Sequence, residues 1–212
     1  MSAGRRVEYR YRDSENPSGA SGVRLSSLIV RLVEARRPGK RICELGCGNG
    51  YLSGLLGERG FDVLGVDASE SGVEIAKEQH ASTAVFLCRS IEPGLAAELG
   101  RARFDVVVSS EVIEHLYRPG DLVDLAFDVL RPGGLLVLTT PYHGYLKNLV
   151  IAALGRFDAH VSPLWDGGHI KFFSPRTLSA LVAGSGFGAI EFAYFGRTPW
   201  LWKSMVCVAR KP

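Results

Sequence analysis

Two short segments of the chain carry residue types and spacings that are suited to chemistry. The first is Cys43–Leu52, CELGCGNGYL, where three glycines follow a short apolar run and an acid, Glu44, stands beside them. The second is Glu111–His115, EVIEH, which places two carboxylates and an imidazole close together along the chain. A glycine loop between a strand and a helix offers free backbone N–H groups to a ligand. A carboxylate–imidazole group suits acid–base chemistry or metal binding.

The glycine loop does not fit a nucleotide that is held by its phosphates. A dinucleotide-binding turn requires G-x-G-x-x-G, whereas Tyr51 stands at the place of the third glycine and Gly50 comes one residue early. The lysine and Ser/Thr of a P-loop are also missing from this segment. Glu44 would repel a phosphate and attract a cation. The loop therefore predicts a ligand that approaches the backbone closely and carries no pyrophosphate.

Asp67 narrows the chemistry of that ligand. It ends a predicted strand, roughly twenty residues after the loop, where an acid can accept hydrogen bonds from both hydroxyls of a ribose. A ligand with a ribose, an adenine and a positive charge, but no phosphate, matches S-adenosylmethionine. The sequence therefore predicts this cofactor.

Alternating strands and helices position both segments. Nearly continuous Val, Leu and Ile runs predict strands that are buried on both faces, which is typical of a parallel α/β sheet. Ser71 and Glu74 have capping-box spacing at the start of one of the intervening helices. The predicted strands are 41–45, 61–66, 84–88, 104–110, 135–140, 189–194 and 202–209.

Residues 24–212 are predicted to form a single domain. Residues 1–23 are polar and are predicted to be an N-terminal arm. The apolar stripe of the first helix begins at Leu25. Residues 143–173 form an insertion after the fifth strand, on the side where a substrate would bind.

Composition excludes several classes of protein. The chain has 212 residues, of which 46% are hydrophobic and 22% charged, a mixture that excludes a disordered or collagen-like chain. The net charge of +3 is too small to indicate a nucleic-acid partner. Neither a signal peptide nor a membrane-spanning run is expected. The four cysteines show no paired spacing, which favours buried thiols and the reducing cytoplasm.

Four segments resemble, in this order, the motifs of class I S-adenosylmethionine-dependent methyltransferases: ELGCGNG, VDAS, VVSSEVIEH and LRPGGLLVLTTP. The resemblance covers residues 24–141 closely, and HIKFFSPRTLSALVAGSGF extends it into the tail. It implies a Rossmann-like, doubly wound sheet of seven strands, mostly parallel with an antiparallel last strand. The residues that it implies for cofactor binding are Glu44, Gly46, Cys47, Gly48, Asp67, Ala68, Ser90, Ile91, Ser110 and Glu111.

Glu111, Glu114 and His115 would share one face of a helical turn over the crevice at the end of the fourth strand. A divalent ion, Mg²⁺, Mn²⁺ or Zn²⁺, would offset the repulsion of their carboxylates, and His169 would complete the set of ligands. The segment resembles the E-x-x-E-H turns of the small-RNA 2′-O-methyltransferases and the ubiquinone-pathway O-methyltransferases. That resemblance implies a diol or catechol acceptor that chelates the ion. Without a metal, His115, His143 or His169 is the candidate general base.

These observations predict O-methylation of a small or lipid-like hydroxyl acceptor. Four alternatives stay open: an RNA 2′-O-methyltransferase, which the near-neutral charge disfavours; an N-methyltransferase, which would need no metal; an NAD-dependent dehydrogenase, which the displaced glycine disfavours; and a scaffold subunit that binds cofactor without turnover. The apolar part of residues 143–157 is a candidate for peripheral membrane contact. A monomer or a homodimer is expected.

Overall fold

Strands and helices alternate along most of the chain. The computed structural model describes residues 19–36, 39–161, 163–165 and 167–212. Its strands are β1 (Arg41–Leu45), β2 (Asp62–Asp67), β3 (Val85–Cys88), β4 (Phe104–Ser110), β5 (Leu130–Pro141), β6 (Gly188–Phe195) and β7 (Ser204–Arg210). Its helices are α1 (Gly19–Arg36), α2 (Tyr51–Glu58), α3 (Glu70–His80), α4 (Leu95–Leu99), α5 (Pro119–Val129), α6 (Tyr145–Ala153), α7 (Phe157–Val161) and α8 (Pro175–Gly184).

The seven strands form one mixed sheet in the order β3-β2-β1-β4-β5-β7-β6. Neighbouring strands from β1 to β5 are parallel. The last strand, β7, is antiparallel to both β5 and β6. The predicted α/β fold, a mostly parallel seven-stranded sheet with an antiparallel last strand, is confirmed.

Most predicted boundaries agree with the structure to within a residue or two, and β1 and β4 agree at both ends. Two boundaries differ more. The helix α1 begins at Gly19, inside the segment that the sequence predicted as an arm; the rest of that arm, 1–18, lies outside the described residues. The strand β5 begins at Leu130 rather than Leu135, because Leu130 pairs with Phe104 ahead of the irregular Pro-Gly-Gly segment.

The predicted capping box of α3 is wrong, because the helix begins two residues earlier than the Ser71–Glu74 spacing indicates. Ser69, not Ser71, is the N-cap, and its Oγ accepts a hydrogen bond from the backbone N–H of Gly72. An N-cap side chain must stand just outside the helix to reach the free N–H groups of the first turn. Since α3 begins at Glu70, only Ser69 meets this condition.

The core lies on both faces of the sheet, as expected when helices cover a parallel sheet. One cluster packs α1, α2 and α3 onto one face through residues such as Ile29, Leu56 and Val73. The other packs α4, α5 and α8 onto the opposite face, around Leu122 and Leu178. The thiols of Cys43, Cys47 and Cys207 are buried, and that of Cys88 is half-buried.

The sheet positions the site through its topology. The chain order reverses on either side of β1, which lies between β2 and β4, and open α/β sheets bind ligands at such a switch point, outside the carboxyl ends of the strands. The glycine loop, the EVIEH turn and the insertion all follow the carboxyl ends of β1, β4 and β5. Among the residues that the structure describes, no helix has the length and apolar character needed to cross a bilayer.

Candidate active site

The glycine loop between β1 and α2 has a left-handed backbone. The φ angle is +81° at Gly46 and +79° at Gly50, values that residues with a side chain rarely adopt. A Cβ at Gly46 would lie 2.4 Å from Cγ2 of Val112, so the loop closely approaches the turn after β4. The backbone N–H groups of Gly46 and Cys47 donate to the carbonyl of Val66, which fixes the loop to the end of β2.

Asp67 lies at the end of β2, beside this loop. Its Oδ2 accepts a hydrogen bond of 2.7 Å from the backbone N–H of Gly48, and its Oδ1 accepts one of 2.8 Å from Ser69. Burial raises the pKa of Asp67, and these hydrogen bonds to the carboxylate oppose the rise. The carboxylate is therefore held in one orientation, and Ala68 follows it at the mouth of the crevice.

Glu44 is a buried carboxyl group beneath the loop. Its side chain lies on β1, the residue is 2% exposed, and the hydroxyl of Ser53 donates to it at 2.5 Å. Burial raises the pKa of Glu44; with the opposing hydrogen bond from Ser53 and the smaller effect of the Asp67 charge, the value is about 8. A cation bound in this loop would favour the ionised form of Glu44.

The loop after β3 borders the same crevice. The backbone N–H of Arg89 donates to the carbonyl of Asp67, while the Arg89 side chain turns to Glu98 on α4. Ser90 is half-buried, and Ile91 is half-buried against the core. The structure thus places this loop beside Asp67, where the sequence resemblance locates the adenine.

Glu111 does not lie where a continuous helical turn would place it. The 3₁₀ turn covers only Ile113–His115, and Glu111 has a φ angle of +54°. Its Oε1 accepts a hydrogen bond from the hydroxyl of Thr139 and its Oε2 from that of Ser204. The expectation that Glu111, Glu114 and His115 share one helical face is therefore wrong, and Glu111 is held at the ends of β5 and β7 instead.

Ser110 joins the same polar network. Its hydroxyl lies 3.1 Å from that of Thr139, which also contacts Glu111. Burial raises the pKa of Glu111 to about 6, and hydrogen bonds together with the charges of Lys203 and Lys147 oppose the rise. Ser110 and Glu111 thus belong to one hydrogen-bonded network at the ends of β4, β5 and β7.

Glu114, His115 and His169 form a compact group of potential ligands, each offering one atom within 4.8 Å of the others. Oε2 of Glu114 accepts a hydrogen bond from Thr140. Oε1 of Glu114 is buried and has no hydrogen-bond partner among the described residues. It lies 4.0 Å from Nε2 of His115 and 3.9 Å from Nε2 of His169. A cation at this place would satisfy the unpartnered oxygen.

The segment that carries His169 connects the loops after β4 and β5. The backbone N–H groups of Ile170 and Lys171 donate to the carbonyl of Glu114, and the carbonyl of Phe173 accepts from the backbone N–H of His143. The imidazole of His115 in turn contacts the carbonyl of Gly167, with Nδ1 and the oxygen 2.7 Å apart. These contacts keep the three ligand atoms together although their residues are distant in the chain.

His143 and His160 form a second imidazole pair beside this group, with ring centroids 5.4 Å apart. His143 also contacts the edge of Phe172, and its Nδ1 lies 3.4 Å from Oδ1 of Asn148. Burial, with a smaller contribution from the charge of Lys147, lowers the pKa of His143 to about 4. His143 is therefore neutral near pH 7 and has a lone pair that can accept a proton, and the same shift makes it a weaker base than an ordinary histidine.

The helix α6 buries its lysine and exposes much of its apolar surface. Lys147 is 3% exposed, and its Nζ donates to the carbonyl of Tyr142 at 2.6 Å. Burial, with a smaller contribution from the charge of Arg197, lowers the pKa of Lys147 to about 8. The exposed apolar side chains of the insertion are Tyr145, Leu146, Leu149, Leu154, Phe157, Leu164, Trp165, Ile170 and Phe172.

The match to a family model decides the family. A model described as a methyltransferase domain matches residues 20–191, which is most of the chain. The chain is an S-adenosylmethionine-dependent methyltransferase. It is 34% identical over 177 residues to the ubiquinone biosynthesis O-methyltransferase of Caulobacter sp. (strain K31), an alignment that covers 80% of this chain and 69% of that relative. The ubiquinone biosynthesis O-methyltransferase of Roseobacter denitrificans is 36% identical over 173 residues, with 78% and 67% covered.

Solved structures of other methyltransferases share the fold. A SAM-dependent methyltransferase from Archaeoglobus fulgidus superposes with a TM-score of 0.67 at 18% identity, covering 88% of this chain and 94% of that one. Magnesium protoporphyrin IX methyltransferase (ChlM) from Synechocystis PCC 6803 with bound SAH superposes with a TM-score of 0.66 at 20% identity, covering 89% and 82%. These likenesses establish the methyltransferase fold of the chain.

The residues beside the glycine loop suit the cofactor of a methyltransferase. Glycine at positions 46 and 50 permits the left-handed backbone of the loop and its close packing against Val112 and Phe86. The buried carboxyl group of Glu44 suits a positively charged group, and the oriented carboxylate of Asp67 suits a pair of hydroxyls. S-adenosylmethionine offers both features.

Sequence reasoning missed two residues of this methyltransferase that border the acceptor side. His160 contacts His143, and Gly167 contacts His115. Composition held a signal for the first, because four of the five histidines follow β4, and the insertion contains His160 between His143 and His169. Gly167 could not be recognised without the structure, because its carbonyl rather than a side chain makes the contact.

Proposed function

We propose that this methyltransferase modifies a hydroxyl of a small acceptor that carries two adjacent hydroxyls, a catechol or a diol, with a divalent ion held by Glu114, His115 and His169. The observation that carries the proposal is the unpartnered, buried Oε1 of Glu114, which faces two imidazole nitrogens at 3.9 and 4.0 Å. Buried polar atoms without a partner are rare in proteins and call for an explanation such as a missing ion. Adjacent hydroxyls can chelate one ion.

The comparisons support oxygen as the methylated atom. The relatives from Caulobacter and Roseobacter are both called ubiquinone biosynthesis O-methyltransferases, at 34% and 36% identity. The matched part covers 80% and 78% of this chain, respectively. A hydroxyl acceptor is therefore favoured over an amine.

Residues at the carboxyl ends of β1, β2 and β4 are proposed to hold the cofactor. Glu44 would face its positively charged part, Asp67 would accept hydrogen bonds from the ribose hydroxyls, and Glu111 would lie below the reacting end. The glycine-loop backbone would border the methionine part. The remaining proposed contacts come from Gly46, Cys47, Gly48, Ala68, Ser90, Ile91 and Ser110.

S-adenosylmethionine supplies the methyl group, and a divalent ion supplies Lewis acidity that favours ionisation of the acceptor hydroxyl. The chain itself orients the acceptor between the EVIEH turn and the insertion, and alignment of two reactants contributes much of the rate in such a displacement. His143, neutral and half enclosed by His160 and Phe172, is the proposed acceptor of the hydroxyl proton. Trp165 and Phe172 would exclude water from one side.

The test is methyl transfer to a panel of acceptors by metal-stripped enzyme with and without added Mn²⁺. The panel contains a catechol, its mono-methyl ether, a sugar diol, an aniline and a short RNA with a free 3′ diol. We expect turnover of the catechol or the sugar diol, at least 10-fold faster with Mn²⁺. Glu114→Gln should lose this stimulation, and Glu78→Gln, an exposed residue on α3, should keep it. Methylation of the aniline without any metal effect would contradict the proposal, and RNA turnover alone would favour the RNA alternative.

A specific surface supports a lipid-dissolved acceptor. The outer face of α6 exposes Tyr145, Leu146 and Leu149, and Phe157 of α7 extends it. An exposed apolar helix face can bind at the interface of a bilayer. We expect the enzyme to co-sediment with vesicles of phosphatidylcholine and phosphatidylglycerol, and Leu146→Glu/Leu149→Glu to remain in the supernatant. Equal sedimentation of both would contradict the membrane contact. The cytoplasmic location and the monomeric or dimeric state stay predictions.

A further inference from the structure

We infer that the Glu114–His115–His169 site selects a late first-row transition-metal ion, such as Co²⁺ or Zn²⁺, over Mg²⁺. The inference rests on the proposed function, because it concerns the ion of the same site. It goes further in naming the chemical class of that ion and the residues that set the choice. It follows from which donor atoms the fold brings together and which it directs elsewhere.

The donor set contains two imidazole nitrogens and one carboxylate oxygen. The three ligand atoms of Glu114, His115 and His169 lie within 4.8 Å of one another. Mg²⁺ prefers oxygen ligands and retains several waters, whereas imidazole suits Zn²⁺, Co²⁺ and other transition ions. A set in which nitrogen predominates therefore disfavours Mg²⁺.

The second carboxylate of the EVIEH turn, that of Glu111, is not part of this set. Glu111 has a φ angle of +54°, which breaks the helical path that would align it with Glu114. Its two oxygens accept hydrogen bonds from Thr139 at 3.1 Å and from Ser204 at 3.3 Å. Glu111 is therefore not among the residues whose ligand atoms come together, and the group contains a single carboxylate.

The tautomer of His115 is set by the neighbouring backbone. Its Nδ1 lies 2.7 Å from the carbonyl oxygen of Gly167 and 3.2 Å from that of Gly168. A carbonyl oxygen only accepts hydrogen bonds, so Nδ1 carries the hydrogen and the neutral ring has its lone pair on Nε2, the atom that faces Glu114. Metal-binding histidines commonly donate their other N–H to a backbone carbonyl in this way.

Three protein ligands leave coordination positions for the acceptor. A metal site that acts in catalysis retains open positions, in contrast to a closed structural site. His115 and His169 are both half-exposed, with 28% of each side chain accessible, so a ligand can reach the nitrogens from the crevice. The acceptor class that fits is a pair of adjacent hydroxyls on a neutral or weakly acidic molecule.

The experiment compares ion affinities of metal-stripped enzyme saturated with S-adenosylhomocysteine and without acceptor. Mg²⁺, Co²⁺ and Zn²⁺ are titrated by calorimetry into wild type, His169→Asp and, as a matched control outside the site, His80→Asp. We expect Co²⁺ to bind at least 100-fold more tightly than Mg²⁺ in wild type and in the control. Because His169→Asp replaces a nitrogen donor by oxygen, the ratio should fall at least 10-fold.

A second readout uses wild type alone and therefore still tests the inference if His169→Asp does not fold. Visible absorption and paramagnetically shifted N–H signals of the wild-type Co²⁺ complex report nitrogen ligation directly. The inference would be overturned by any of three results. Mg²⁺ could bind wild type as tightly as Co²⁺, His169→Asp could leave the ratio of Co²⁺ to Mg²⁺ affinity unchanged, or the Co²⁺ complex could lack imidazole signals. Methyl transfer that depends on Mg²⁺ would then leave the proposed function intact, whereas the lack of binding of every ion would contradict the metal role itself.

Discussion

The Nδ1 atom of His115 lies 2.7 Å from the carbonyl oxygen of Gly167, across 52 positions of the chain. This contact sets the side of the His115 ring that faces Glu114, and it connects the turn after β4 with the segment that carries His169. The fold thus orients the proposed metal ligand His115 through the backbone of a glycine. The affinity of the proposed metal site should depend on this contact.

The first prediction concerns the conformation of Gly167. Its φ angle is +78°, and a Cβ there would meet no atom within 4 Å, so Gly167→Ala introduces backbone strain without a clash. Relief of that strain would move the carbonyl away from His115. We expect Co²⁺ or Zn²⁺ affinity to fall roughly 10- to 100-fold, the usual effect of losing such a contact, as measured by calorimetry.

Gly155→Ala is the matched control for that variant. Gly155 has a φ angle of +61° and equally open surroundings, but it follows α6, away from the ligand group. The control should lose similar stability and keep its metal affinity. Equal losses of metal affinity in the two variants would show that strain anywhere in the insertion, rather than the Gly167 carbonyl, governs binding.

The second prediction concerns the pH dependence conferred by Glu44. Burial holds the pKa of Glu44 at about 8 in the folded, unliganded chain, against 4.5 for an ordinary glutamate. Between these values the folded state retains a proton that the unfolded state has released. Stability therefore falls as the pH rises from about 4.5 to 8, and Glu44→Gln removes this dependence.

Thermal denaturation at pH 5, 6.5 and 8 tests the sign. Each unit of pKa difference corresponds to about 1.4 kcal/mol. The denaturation midpoint of Glu44→Gln, relative to that of wild type, should therefore rise by several degrees between pH 5 and 8. The cofactor should bind the variant at least ~10-fold more weakly. Glu78→Gln serves as the exposed control. Parallel curves for wild type and Glu44→Gln would show that Glu44 is already ionised in the folded chain.

The third prediction concerns the carboxylate of Asp67. Asp67→Asn would place an amide N–H₂ against the N–H of either Gly48 or Ser69, which now donate to the two carboxylate oxygens. A lost hydrogen bond of this kind costs about 1–3 kcal/mol. We expect S-adenosylhomocysteine affinity to fall at least 10-fold by calorimetry. Asp62→Asn, at the far end of β2, should bind normally, and unchanged affinity in Asp67→Asn would exclude this residue from the cofactor site.

The fourth prediction concerns Lys147 and alkaline pH. Burial lowers the pKa of Lys147 from 10.5 to about 8 in the folded chain. Between these values the unfolded chain holds the extra proton, so this group makes the protein more stable as the pH rises from 8 to 10.5. The denaturation midpoint of wild type should therefore rise relative to that of Lys147→Met as the pH increases over that range. A constant difference would mean that Lys147 titrates alike in both states.

The sequence predicts the sheet well because its signals are local. The runs that became β1 and β4 consist of apolar residues bounded by turn residues, and the switch point follows from the order of strands and helices. Glu44, the glycine loop and Asp67 also come together as expected, since each directly adjoins the carboxyl end of a strand. A residue at a strand end is positioned by the strand itself.

The acceptor side was less predictable, because non-local contacts decide it. Glu111 was expected among the metal ligands, but Thr139 and Ser204, on two other strands, hold its carboxylate. Lys147 lies in an apolar helix, and only the carbonyls at the ends of β5 and β7 explain why it is buried. Neither arrangement has a signal in the residue spacing.

The most direct test of the account is a calorimetric titration of Zn²⁺ into metal-stripped enzyme saturated with S-adenosylhomocysteine, for wild type and Glu114→Gln in parallel. The account predicts one equivalent of Zn²⁺ bound by wild type, with at least a 10-fold loss of affinity when the unpartnered oxygen of Glu114 is replaced. Wild type that binds no Zn²⁺, or a variant that binds it equally well, would contradict the proposed role of Glu114, His115 and His169 in holding an ion.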